Sequence, residues 1–168
     1  MSSKVTLIAR TSPLRFDPDI STRSLSAEDI PALGELQFNA YDQGLGEQSV
    51  AAATAEMREV FAGKYGNLLT EISQVAVDET GKIIAGVLVV EHAPEAEGPT
   101  APLLIELFTD RDHRRQGLAE RLVVISGDLL FNAGYQEVAV SVDDSNAAAL
   151  ALYLSLDFRR WENDDEQD

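Results

Sequence analysis

The chain has 168 residues, 45% of them hydrophobic, enough for one ordinary domain to build its core without disulfides or a structural metal. Its formal charge of −16 opposes binding to nucleic acid or anionic lipid, and the absence of cysteine excludes a thiolate nucleophile and a cysteine-ligated zinc. No apolar run approaches the roughly 20 residues of a membrane span, and Met1–Arg10 lacks the continuous apolar stretch of a signal peptide, so a soluble, cytoplasmic protein without bound metal is expected.

Along the chain, residues 21–25 read as a short strand. Ser26-Ala27-Glu28-Asp29 then reads as a capping sequence that opens a helix over 27–40. Gly44 and Gly46 interrupt the pattern before a second helix over 48–62, which carries Val50, Ala53, Met57, Val60 and Phe61 at helical spacing. Two β-branched runs, 72–77 and 83–91, flank Asp78-Glu79-Thr80-Gly81-Lys82 as an antiparallel hairpin, and a further apolar run over 103–108 is a third strand. From Gly117 the stripe Leu118, Leu122, Ile125 and Leu129 marks a helix that stops near Ala133-Gly134. Alternating Val138, Val140 and Val142 mark a strand, a last helix covers 146–156, and a short strand lies around 159–161. The expected fold is α/β of the α+β kind: one domain over 1–161, with a mixed, mostly antiparallel central sheet flanked by helices. Residues 162–168, nearly all acid and amide, read as a disordered tail.

The turn before the third of these helices is the first candidate site. A helix start leaves up to four backbone N–H groups unpaired, Gly117 lets the main chain approach a ligand closely, and Ala119 keeps the next turn small. Arg111, His113, Arg114 and Arg115 gather positive charge there in an otherwise acidic chain. Taken alone, the same residues also fit a plain tight turn whose arginines pair with surface carboxylates. The spacings of nucleoside-triphosphate and dinucleotide loops and of a serine-hydrolase elbow are absent, and His92 and His113 read as surface residues.

A second element lies downstream. Asn146 opens the last helix and Tyr153 follows almost two turns later on the same face, about 10 Å away, with the small Ala149 between them. Arg114-Arg115-Gln116-Gly117-Leu118-Ala119 after a strand, then helix, strand and Asn146, Ala149, Tyr153 and Phe158 in this spacing, resembles the GNAT superfamily of acetyl-CoA-dependent N-acetyltransferases. The resemblance covers about 103–158 through its motifs; before that, only the order of elements agrees.

The resemblance implies acetyl-CoA as cosubstrate and a primary amine of a small molecule or protein as acceptor, attacked directly in a ternary complex. It assigns the pantetheine arm to Leu107, Phe108 and Thr109, the pyrophosphate to Arg114, Arg115, Gln116, Gly117, Leu118, Ala119 and Glu120, and a further arm contact to Asn146. Tyr153 is the implied acid. Glu106, the only carboxylate inside the third strand, is the candidate base; strand alternation puts it on the face opposite Leu107 and Thr109 unless a β-bulge re-aims it. Ser141 occupies another position that relatives use for a base and is no ordinary base itself, which leaves Asp143 and Asp144 as fallbacks.

Ala119, Asp157 and Arg111 depart from the common pattern, and Asp157 calls for a left-handed backbone. Acceptor choice is expected from about 27–69, where Tyr41, Asp42 and Glu47 are candidates, and a homodimer rests on family habit alone. A catalytically silent acyl-CoA-binding module on the same fold is the rival reading.

Overall fold

The computed structural model describes residues 3–15, 17–40, 49–92 and 98–162. The strands are β1 (Lys4–Arg10), β2 (Thr22–Ser24), β3 (Gln74–Val77), β4 (Ile83–Val90), β5 (Leu103–Thr109), β6 (Glu137–Asp143) and β7 (Arg159–Arg160); the helices are α1 (Ile30–Ala40), α2 (Val50–Phe61), α3 (Leu118–Asn132) and α4 (Ala147–Ser155). They form one sheet in the order β2-β3-β4-β5-β6-β1-β7, in which β5 and β6 run parallel and the other neighbours antiparallel. This is the mixed, mostly antiparallel sheet expected. Tyr41, Asp42, Glu47 and residues 163–168 lie outside the described residues.

One element departs from the expectation. Residues 4–10, read only as lacking a signal-peptide core, form β1, which lies between β6 and β7. Leu7 and Ala9 are buried while Lys4 and Arg10 are exposed. The period-2 signal is present but short, and the partner that makes it a strand is far away in sequence, with Leu7 opposite Val140 and Ala9 opposite Val138. Through β1 the sheet also gains β7, since Leu7 and Ile8 pair with Arg160 and Arg159.

Every residue of β4 is buried, as a central strand covered on both faces requires. On one face, Leu118, Leu122 and Leu130 of α3 and Tyr153 of α4 pack with Leu7, Val87, Leu104 and Val140. On the other, Leu33 and Leu36 of α1 and Met57 and Val60 of α2 pack with Val75, Leu88 and Phe108. The capping sequence forms as expected: Ser26 Oγ accepts from Glu28 N–H at 3.3 Å, and the Asp29 carboxylate accepts from Ser26 N–H at 2.9 Å. Asp29 is buried and also takes two hydrogen bonds from the Arg23 guanidinium, at 2.9 and 2.8 Å, so the start of α1 is tied to β2. The hairpin turn is held by Asp78, whose Oδ1 accepts from the N–H groups of Thr80 and Lys82 at 2.8 and 3.0 Å.

Helices α1 and α2 are in close contact at Gly34, where an added Cβ would lie 2.2 Å from Thr54 Oγ1 and 2.6 Å from Thr54 Cα. The second contact is backbone and cannot swing aside. Gly34→Ala is therefore expected to lower stability by about 1–3 kcal/mol despite alanine's better helix propensity, read as a lower urea midpoint at unchanged slope.

The Arg23 guanidinium, followed by the Ser26 N–H, holds the Asp29 carboxyl below its ordinary value against the opposing effect of burial. A depressed carboxylate stabilises the fold above its unfolded-state pKa of about 3.9, and this stabilisation is lost as pH falls through the folded value. Asp29→Asn should cost about 1 kcal/mol near pH 7, discounted because Arg23 is half-exposed, with the gap to wild type closing below about pH 4. Urea midpoints of both proteins across pH 3–8 provide the check.

Candidate active site

At the end of β5 the chain passes through Asp110, whose N–H donates to the Ile84 carbonyl at 2.8 Å and whose carboxylate accepts from Asp112 N–H at 3.2 Å. A single 3-10 turn over Arg111–His113 follows. The backbone then enters the left-handed region twice, at Arg115 (φ 66°) and at Gly117 (φ 74°), before α3 begins. For an arginine this conformation costs about 1–2 kcal/mol, a strain that tends to persist where a site needs the resulting curl. The N-cap Gly117 gives the start of α3 no side-chain cap, and among the described residues a Cβ placed on it would meet nothing within 4 Å. An anion can reach the main chain there.

This turn borders a cavity of about 470 Å³. Leu107, Phe108 and Thr109 contribute to it from β5, Arg114, Arg115, Gly117, Leu118, Ala119 and Glu120 from the turn and α3, and Asn146 and Tyr153 from α4. Of the cofactor residues named from the sequence, Gln116 alone does not line it. The Arg114 guanidinium donates to the Ala40 carbonyl and ties the turn to the end of α1.

Asn146 is the N-cap of α4, where its Oδ1 accepts from Ala149 N–H at 3.1 Å; the side-chain NH₂ is not needed for that cap. Tyr153 is buried, its ring edge-on to Phe158 at 5.2 Å. Beyond α4, Asp157 adopts φ 68°, the left-handed conformation the sequence calls for. His113, read as a surface residue, also lines the cavity, and its Nδ1 is buried with no hydrogen bond among the described residues, 3.8 Å from Asp110 Oδ2. Only the fold brings it there.

The open edge of β5 arises because β5 and β6 pair only at Leu103 with Ala139 and Leu104 with Val140. Further along, β6 continues to pair with β1 through Ser141 and Val142, while β5 runs on to Thr109 paired only with β4. A bulge sets the side-chain directions: Leu88 faces Glu106 and Val89 faces Leu104, so Ile105 is the extra residue. Ile105 and Phe108 consequently pack on the α1/α2 side and Leu104 and Leu107 on the α3 side.

Glu106 lies on the α1 side, opposite Leu107, with the Gln37 amide donating to its Oε1 at 3.5 Å. Gln37 is buried and its Oε1 has no partner among the described residues. Glu106 does not line the first cavity. With Lys4, Tyr65, Ile105 and Ser141 it lines a separate one of about 270 Å³. The candidate acid and candidate base thus belong to different cavities along one strand. Both fallback carboxylates are engaged in local structure: Asp143 Oδ1 accepts from Ser145 N–H and Oγ at 2.9 and 2.6 Å, and Asp144 Oδ1 accepts from Ser3 N–H at 3.1 Å.

Comparison with known proteins agrees with this geometry. A sequence model of the acetyltransferase (GNAT) family matches residues 56–158, more than half of the chain. The chain is 31% identical over 119 residues to a mycothiol acetyltransferase of Renibacterium salmoninarum, which covers 71% of this chain and 33% of that protein. Curated relatives are matched over only a quarter to a third of their length, 24–33%. Among solved structures, a GCN5-related N-acetyltransferase from Sphaerobacter thermophilus superposes with a TM-score of 0.68 at 17% identity, over 95% of this chain and 49% of that one. The ribosomal-protein-S18-alanine N-acetyltransferase of Escherichia coli gives 0.63 at 26% identity, over 84% and 79%.

Proposed function

Because the chain belongs to the GNAT acetyltransferase family, we propose that it transfers the acetyl group of acetyl-CoA to a primary amine, on a small molecule or a protein, by direct attack in a ternary complex. The observation that carries this reading is the parting of β5 from β6 after Leu104, beside a helix start whose first N–H groups are uncapped. The residues present suit acetyl-CoA. The unpaired edge of β5 from Ile105 to Thr109 offers backbone donors and acceptors to an amide-rich pantetheine arm, and the Gly117 turn offers N–H groups and open space to a pyrophosphate. Acetyl-CoA supplies an activated thioester.

Attack needs a neutral amine, so a base must take a proton from the ammonium form present at neutral pH. Glu106 has this role in the proposal: it lies on the α1/α2 side, beside the buried Gln37 Oε1, which would accept a hydrogen bond from the same amine. As the new C–N bond forms, negative charge gathers on the acetyl oxygen, where a backbone N–H of the open β5 edge would stabilise it. The C–S bond then breaks and the electron pair leaves on sulfur. Tyr153 donates the proton that releases coenzyme A as a free thiol, and the second proton shed by the nitrogen as the amide forms restores the phenol. The amine enters through the cavity that Glu106 shares with Ser141 and Tyr65. A cytoplasmic location belongs to the same proposal; no helix among the described residues is long and apolar enough to cross a membrane.

The test is acetyl transfer across amine classes, with thiol release as the readout. Product with at least one amine is expected, whereas acetyl-CoA binding without thiol release from any of them would leave a silent acyl-CoA-binding module. Glu106→Gln should lower turnover by about 10²–10⁴-fold and remove the ascending limb of the pH–rate profile. A retained limb would exclude Glu106 as the base. Tyr153→Phe should lower turnover by about tenfold or more with little change in acetyl-CoA affinity, and unchanged turnover would remove the phenol from the mechanism.

A further inference from the structure

The cavity of about 270 Å³ beside Glu106 carries opposite charges, because Lys4 also lines it. Packing fixes the directions of its polar side chains. Val140 and Val142 of β6 and Val5 and Leu7 of β1 pack on the α3 side, so strand alternation turns Ser141 and Lys4 to the other face, where Glu106 also lies. The pairing of β1 with β6 sets Lys4 opposite Asp143, further along β6 than Ser141.

A lysine in a chain of charge −16 usually meets a carboxylate, and Asp143 stands across the ladder from this one. Asp143 Oδ1 instead accepts from Ser145 N–H and Oγ, and Asp144 Oδ1 from Ser3 N–H. Among the described residues the Lys4 ammonium makes no hydrogen bond or ion pair, with Glu106 or any other group. A cation and a carboxylate that share a wall without neutralising each other can each take the opposite charge of one ligand. The other walls are largely apolar: Leu103 and Ile105 offer hydrocarbon, and the Tyr65 hydroxyl is committed to Glu56 at 2.5 Å, which leaves its ring. At about 270 Å³ the cavity lies below the roughly 300–1,000 Å³ of sites for drug-sized ligands, so it suits a small molecule.

We propose that the acceptor is a small free amino acid, its ammonium at Glu106 and Gln37 and its carboxylate on the Lys4 ammonium and the Ser141 hydroxyl. The inference rests on the acetyl-transfer reading above and narrows its amine to one class. The nitrogen bonds to the acetyl carbon as the C–S bond breaks. Of the ammonium hydrogens, Glu106 takes one as a proton and another restores the Tyr153 phenol; the last stays on the amide nitrogen, within the reach of the buried Gln37 Oε1. Lys4 takes no part in these steps. It selects the acceptor, as a local positive charge in a domain whose overall field repels carboxylates.

Thiol release by the full chain at saturating acetyl-CoA and one fixed salt concentration tests the proposal, with alanine and leucine as acceptors beside their carboxamides and the alkylamines that lack the carboxylate. Wild type should favour each amino acid over its amide by about tenfold or more in kcat/KM, although the amide's less basic nitrogen keeps more of it neutral. Lys4→Met should raise KM for the amino acids about five- to tenfold with kcat nearly unchanged, and leave the amides and alkylamines as they are. Lys4→Arg should restore most of the preference. If wild type uses the amides or alkylamines as well as the amino acids, the proposal is overturned while acetyl transfer stands. An equal rise in KM for every acceptor in Lys4→Met would also overturn it, since that pattern reports a changed cavity and not a lost carboxylate contact. If no amine of any class releases thiol, the acetyl-transfer reading fails and this inference fails with it.

Discussion

β5 and β6 hydrogen-bond to each other in parallel at Leu103 with Ala139 and Leu104 with Val140, and there the pairing stops. A backbone edge inside a sheet must find other partners, because buried unpaired N–H and C=O groups are costly. A ligand with its own amide groups satisfies that requirement, and the arm of coenzyme A has them. The cavity of about 470 Å³ lies along the open part of β5, and Glu106 stands just past the last paired rung. Were β5 and β6 to pair to their ends, the sheet would gain hydrogen bonds and lose the edge on which the proposed chemistry depends.

β5 is packed on both faces. Leu104 and Leu107 are committed to the α3 side and Ile105 and Phe108 to the α1/α2 side, a distribution that the bulge at Ile105 makes possible. β6 does not need β5 beyond Val140, because β1 pairs with it along its whole length from Glu137 to Asp143. The N-terminal strand therefore has two consequences. It supplies the partner that lets β6 diverge, and it starts the segment that is tied to α3 by the Leu14 N–H bond to Asp128.

The turn at Gly117 was legible as a candidate because its determinants are local. Gly117 after a run of basic residues, a helical stripe from Leu118 and the Asn146-to-Tyr153 spacing each lie within a few turns of chain, and the structure gathers all of them except Gln116 around one cavity. The left-handed Asp157 was legible for the same reason, as a residue standing where a glycine is usual. By contrast, β1 was missed. Residues 4–10 alternate only briefly, and their partners lie at 137–143. His113 shows a similar limit: nothing in its neighbours says that its ring turns inward beside Asp110.

By itself, the sequence determined the order of most elements, the antiparallel hairpin, the capped start of α1 and the glycine turn into α3, since each follows from torsional preference and hydrophobic period over short spans. Tertiary structure decided the surroundings of each candidate carboxylate. The sequence already singles out Glu106 as the one inside β5, and long-range packing places it next to Gln37 and a cavity, while Asp143 and Asp144 accept hydrogen bonds that close their own turn and hold Ser3. It also decided that residues near the N-terminus wall the space beyond Gly117. Side-chain chemistry can be read from the chain, but which groups remain available for a ligand depends on hydrogen-bond partners that only the assembled fold supplies.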